Sequence, residues 1–230
     1  MSQQNNSQNK KKSPFELRHL PMDIGRIICT PCTLAFRMKR VGLDGKKYNK
    51  RLRGGNLVVA NHERFSDPFV VGTCFWYRRT FCLAAEVVMK NPLVAFLLKG
   101  MGCIRIDRTI SDIEAIKKSV SLLKEGHVLV MFPQGGIDRS GEIDKVKGGS
   151  IIIAMRAGVP IVPMYTRKRK HWYNRQLAVI GEPFICSEIC KKKFPSVTDI
   201  ETLSAELLKR MEECREVYDR IEGGESNDNV

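Results

Sequence analysis

Short β-branched apolar runs alternate along this chain with segments of helical period. The runs are "NLVVA" (56–60), "TFCLAA" (80–85), "CIRI" (103–106), "HVLVMFP" (127–133), "VPIVPMY" (159–165) and "QLAVIG" (176–181). Between them stand apolar or amphipathic stretches such as "FVVGTCFWY", "NPLVAFLLKGMG", "SDIEAIKKSVSLLKEG" and "SIIIAMRAG". A strand that returns to the same sheet by way of a helix pairs in parallel, because a tight hairpin forces the antiparallel arrangement. The alternation therefore predicts a single α/β domain with a largely parallel mixed sheet flanked by helices. With 230 residues, of which 43% are hydrophobic, one such core can be filled.

The helix signals are uneven. In "SDIEAIKKSVSLLKEG", Ser111 and Glu114 have capping-box spacing, Ile113, Ile116, Val120 and Leu123 share a face, and Gly126 stops the run. A C-terminal helix is expected from about Thr198 to Glu222, with Thr198 and Glu201 capping it and Leu203, Leu207, Met211 and Cys214 facing inward. Residues 14–40 read as one or two amphipathic helices, broken near Pro21 and Pro31. The tails are expected to be disordered over 1–13 and 223–230, with the domain over 14–222.

The formal charge is +14 and the pI about 9.6. The densest basic stretch is "RMKRVGLDGKKYNKRLRGG", residues 37–55, with smaller clusters at 167–171 and 191–193. Such a field favours anionic partners. Nucleic acid is disfavoured, since no aromatic platform interleaves the basic residues. No stretch has the length of a membrane span or the apolar core of a signal peptide, so the expected location is cytoplasmic. The eight cysteines lie mostly in apolar runs, as reduced core residues do. Cys29 and Cys32 form a CxxC without a second pair at zinc spacing, so no metal is expected.

Chemistry gathers where the strands end. "NHERFSD" follows the first run and carries His62 and Asp67. Five residues on a regular helix give an offset of about 140°, so the two meet only if the chain turns between strand and helix. Pro68 suits a first helical position, with Asp67 capping before it. A histidine held by a carboxylate is a general base; a surface histidine beside a capping aspartate is the other reading. "IRIDR" ends another run with Arg105, Asp107 and Arg108. "FPQGGIDRSG" ends a third with Gln134, Gly135, Gly136 and Arg139. Glycines admit backbone N–H groups to a phosphate and arginines grip it as a fork.

These blocks resemble those of the glycerolipid acyltransferases, the family of 1-acylglycerol-3-phosphate acyltransferase. "NHERFSD" is similar to their NHx4D signature, "GCIRIDR" to their second block, "FPQGGIDRSG" to FPEGTR and "AGVPIVPM" to VPIVPV. The blocks occur in the family's order, and Lys147 and Gly148 also fall in place. The resemblance implies that His62 deprotonates an acceptor hydroxyl and Asp67 orients it. It also implies an acyl thioester donor (CoA or acyl-carrier protein), no other cofactor, and a lysophospholipid or glycerol-phosphate-type acceptor. Arg105, Arg108, Gln134, Gly135, Gly136 and Arg139 would bind substrate phosphate. This chain departs from the pattern at Gln134, where the family has glutamate, and at Gly136 and Ile137, where it has Thr-Arg. Glu86 also lacks the preceding lysine that members often carry. The acceptor stays open on these grounds. With greasy substrates and a basic surface, the chain is expected to be a peripheral protein on the inner face of the cell membrane, with 14–40 inserting or packing on the domain. A non-catalytic lipid-binding relative, and a thioester hydrolase using Cys103 or Ser66, remain as alternatives.

Overall fold

The computed structural model describes residues 20, 22–24, 27, 37–85, 89–90, 92, 98, 102–106, 112–134, 143, 146–169, 171, 173–192 and 195–224. A seven-stranded sheet runs through the middle. Its strands are β1 (Lys39–Val41), β2 (Asn56–Ala60), β3 (Thr80–Ala85), β4 (Cys103–Ile106), β5 (Val128–Met131), β6 (Ile161–Tyr165) and β7 (Leu177–Ile180), in spatial order β1-β7-β6-β2-β5-β3-β4. The five from β6 to β4 are mutually parallel. β7 turns antiparallel to β6, and β1 follows β7, so both run against the rest. All six runs read from the sequence are strands. β1 was hidden in the basic stretch, where three residues carry no periodic signal.

Alternation sorts the strand side chains onto two faces. Leu57, Val59, Leu129 and Ile161 join one core cluster with α2 (Ile113–Lys124), α3 (Gly149–Ala157) and α5 (Val197–Gly224). Val58, Ala60, Val130 and Val162 join another under α1 (Asp67–Cys74), with Tyr48 and Leu52 of the basic connector. β2 is buried along its whole length between these layers. That is why it reads as an unbroken apolar run. A short α4 (Cys186–Ile189) lies between β7 and α5.

Several local expectations change. The cap of α2 is Asp112, whose side chain accepts from Ala115 N at 2.8 Å, and Ile113 is exposed rather than inward. Ser111 lies outside the described residues. In α5 the capping box is two residues earlier than read. Asp199 accepts from Ser196 N at 2.8 Å and donates its own N–H to Ser196 Oγ at 3.2 Å. The inward residues Leu203, Leu207, Met211 and Cys214 are fully buried. α5 runs on through Gly224, two residues into the expected tail. Near the N-terminus, residues 20, 22–24 and 27 are helical. Met22 is buried and Asp23 pairs with Arg79 at 2.6 Å, while Ile24 and Ile27 face solvent. Cys29, Cys32 and most of 91–101 lie outside the described residues.

Gly55 lies just before β2 under the last turn of α2. A Cβ there would stand 2.0 Å from the Leu123 carbonyl oxygen and 3.0 Å from Val159 Cγ1. A backbone carbonyl cannot rotate away as a side chain can. Gly55→Ala is therefore expected to cost about 2 to 3 kcal/mol of unfolding free energy. Gly72→Ala, inside α1 with nothing within 4 Å of the added atom, should be neutral or stabilising by up to about 1 kcal/mol. Urea denaturation of both variants measures the contrast.

Candidate active site

The strand–helix turn after β2 is organised by one carboxylate oxygen. Ser66 stands at the N-cap of α1 but makes no side-chain cap bond, and Asp67 is already helical with Pro68 behind it. Asp67 does not cap the helix, as its position had suggested. Its side chain points back into the loop, where Oδ2 accepts from Glu63 N and Arg64 N at 2.7 Å each and meets His62 Nδ1 at 3.2 Å. Residues 61–66 are not helical, so the offset of a straight helix does not apply. Both His62 and Asp67 are buried, at 8% and 3% exposure.

His62 shares the side of the sheet that carries Val58 and Ala60. Its ring stacks on Phe132, which follows β5, with centroids 4.3 Å apart and planes at 22°. Its backbone N–H donates to Gln134 Oε1 at 3.1 Å. The strand-end loops of β2 and β5 are thus tied together at the imidazole. With Nδ1–H donating to Asp67, the neutral ring keeps its lone pair on Nε2. Among the described residues no hydroxyl or thiol hydrogen-bonds to that ring. Beside the pair, Arg64 Nε is buried without a hydrogen-bond partner, 3.9 Å from Asp67 Oδ1.

The odd-numbered residues of the turn face the other way. Asn61 donates to the Thr166 carbonyl at 2.8 Å and accepts from Thr166 N at 3.0 Å, bridging the ends of β2 and β6. Glu63 sits 3.3 Å from the Asn61 amide and 3.6 Å from Arg167 Nε. Burial raises the Glu63 carboxyl above its ordinary range, and the Arg167 guanidinium offsets part of that. Arg167 also holds Asp219 of α5 at 2.8 Å and lies over the Tyr165 ring. Asn61, Glu63, Phe132 and Arg167 were not singled out from the sequence. Only Asn61 had a signal, as the first letter of the NHx4D block.

The other expected site residues divide. Gln134 is at the site. Arg105 is exposed on β4, three strands from β2, which at ordinary strand spacing is about 14 Å away. It is not brought against His62. Arg108, Gly135, Gly136 and Arg139 lie outside the described residues. Cys103 faces Cys82 on β3, sulfur to sulfur 2.8 Å, and its thiol is pushed well up by that hydrogen bond and by burial. Such a thiol is a poor nucleophile, because the thiolate is the reactive form. Among the described residues no group of three or more His, Cys, Asp or Glu side chains could hold a metal ion.

An α/β sheet with a buried imidazole–carboxylate pair at the carboxyl end of a central parallel strand, where such folds gather their sites, defines a class. The family is more specific. A family model described as Acyltransferase matches residues 40–167, and the chain belongs to that family. It is an acyltransferase. The 1-acyl-sn-glycerol-3-phosphate acyltransferase of Bacillus subtilis (strain 168) is 24% identical over 184 residues, which is 76% of this chain and 90% of that protein. A probable enzyme of the same name from Mycoplasma genitalium is 31% identical over 113 residues, 47% of this chain and 42% of that one. The crystal structure of the 1-acyl-sn-glycerophosphate (LPA) acyltransferase PlsC from Thermotoga maritima shares the fold. Its TM-score is 0.59 at 18% identity, over 86% of this chain and 79% of that one.

Removing the Asp67 carboxylate leaves two loop N–H groups and one ring N–H without their acceptor. At about 1 to 3 kcal/mol for each buried unsatisfied group, Asp67→Ala is expected to destabilise the domain by at least about 3 kcal/mol. Asp67→Asn, which keeps one acceptor oxygen, should lose less. Equilibrium unfolding in urea, with hydrogen exchange at the Glu63 and Arg64 amides, reads both effects.

Proposed function

We propose that the protein moves a fatty acyl group from an acyl thioester, CoA or acyl-carrier protein, to a hydroxyl of a lysophospholipid or glycerol-phosphate-type acceptor. The observation that carries this reading is the 3.2 Å contact of His62 Nδ1 with Asp67 Oδ2, which leaves Nε2 as the ring's basic atom. In the reaction, Nε2 takes the acceptor's hydroxyl proton as its oxygen attacks the thioester carbonyl carbon. The tetrahedral oxyanion collapses, the C–S bond breaks, and the departing sulfur receives the proton from the imidazolium. An ester and a free thiol result, with no acyl-enzyme. Asp67 holds the ring in one tautomer and stabilises the charge that develops on it.

Substrate phosphate would be gripped by Arg108 and by the Gly135–Gly136 backbone and Arg139, the latter group on the segment that follows Gln134. Arg64 Nε is a further donor beside the dyad. Lipid substrates imply a membrane surface. Ile24 and Ile27 are exposed helical residues next to Met22 and Asp23, which contact the domain, and the net charge is +14. We assign this edge to the inner face of an anionic membrane, where each basic residue contributes about 1 kcal/mol. No helix among the described residues is long and apolar enough to cross the bilayer.

Hydrolysis through Cys103 is the weaker reading, because the raised thiol pKa opposes it. Labelled acyl-CoA and acyl-carrier protein, each offered with a panel of lysolipids including lysophosphatidate, test the proposal by free thiol and product mass. His62→Ala should lose about 10²- to 10⁴-fold in turnover while its unfolding curve stays cooperative. Near-normal turnover in that variant, or a covalent acyl-enzyme in the wild type, would defeat it.

A further inference from the structure

At the opposite end of α1 from Asp67 lies a pocket of ≈ 450 Å³ that the dyad does not use. Its chemistry is carried by Arg40, Lys47, Lys50 and Arg51, with Trp76 and Tyr77 from the turn after the helix. No carboxylate is among its described lining residues. The walls are built rather than loose. Arg40 Nη1 donates to the Cys74 carbonyl at 2.9 Å, closing the C-terminus of α1. Tyr77 Oη accepts from Leu52 N at 3.0 Å, and the Arg51 guanidinium stands 5.7 Å from the Tyr77 ring centroid. Lys50 reaches Glu182 at 2.7 Å, outside the pocket. Trp76 is 48% exposed.

This combination selects one ligand chemistry. Guanidinium and ammonium groups gathered around a cavity take phosphate. An exposed indole beside them takes the face of a nucleobase. The volume falls in the range of small-molecule sites. A lone phosphate would not reach the exposed indole face, and an acidic protein surface would meet cations spread over a face instead of lining a hollow.

Position links the pocket to the dyad. Tyr77 and Met38 pack on the same core cluster as Phe132, on which His62 stacks, so pocket and imidazole share one side of the sheet. Helix α1 separates them by eight residues, about 12 Å of rise. The pantetheine arm of coenzyme A is longer than that span. We propose that the pocket binds the adenosine bisphosphate end of a CoA-type thioester whose acyl carbon lies at His62 Nε2. The link to catalysis rests on the acyl-transfer reading; the binding of the nucleotide does not.

The test separates the two. The chain has two tryptophans, so the full-length protein carrying Trp172→Phe reports from Trp76 alone. Titration with adenosine 3′,5′-bisphosphate is expected to quench that fluorescence saturably, with CoA competing. A Lys47→Glu/Arg51→Glu variant should bind about tenfold or more weakly, the equivalent of losing one or two charge-assisted contacts. Absence of saturable quenching, or equal affinity in the charge-reversed variant, overturns the assignment whether or not acyl transfer is observed. In turnover assays the same variant should raise the ratio of KM for acyl-CoA to KM for acyl-pantetheine by a similar factor. An unchanged ratio refutes the subsite. Loss of binding to phosphatidylglycerol vesicles with nucleotide binding intact also refutes it, and assigns the cations to lipid headgroups.

Discussion

One carboxylate oxygen decides the shape of the site. Asp67 Oδ2 receives two backbone N–H groups and faces one imidazole nitrogen, all from the six residues that separate β2 from α1. The loop cannot relax without stranding those donors in a buried place. The same three contacts that fold the turn also orient His62. Local structure and chemistry are therefore not separable at this position, and the pair is fixed by the backbone before any substrate arrives.

The sheet supplies the rest of the frame. β2 is central and buried on both faces, so its carboxyl end opens between the loops of β5 and β6. Period-two alternation continues past the strand: His62 turns to the α1 side and stacks on Phe132, while Asn61 and Glu63 turn to the α5 side and engage Thr166 and Arg167. One side carries the imidazole held by Asp67, the other anchors the loop. The reversal of β7 and β1 brings the basic connector back beside α1, and that places its arginines and lysines on the imidazole's side of the sheet.

The α/β class and all six longer strands could be read from the sequence, because burial writes an apolar run into them, on both faces in β2, β6 and β7. Three-residue β1 had no such pattern. Capping positions slipped by one residue at α2 and by two at α5, since nearby Ser, Thr and Asp residues have similar cap chemistry and only backbone geometry separates them. His62 and Asp67 were legible from residue type and the strand–Pro boundary. Their contact was not, because it depends on a carboxylate turning backward from the helix it was expected to cap. Phe132 and Arg167 were invisible for a different reason: they lie about 70 and 105 residues from His62, and only sheet order makes them neighbours.

The central claim is that Asp67 fixes the tautomer of His62. Long-range ¹H–¹⁵N correlation of the imidazole nitrogens at neutral pH, assigned against the spectrum of a variant lacking His62, measures that directly. The account predicts a proton on Nδ1 and a bare, pyridine-like Nε2. A spectrum in which Nε2 carries the proton and Nδ1 does not would contradict it.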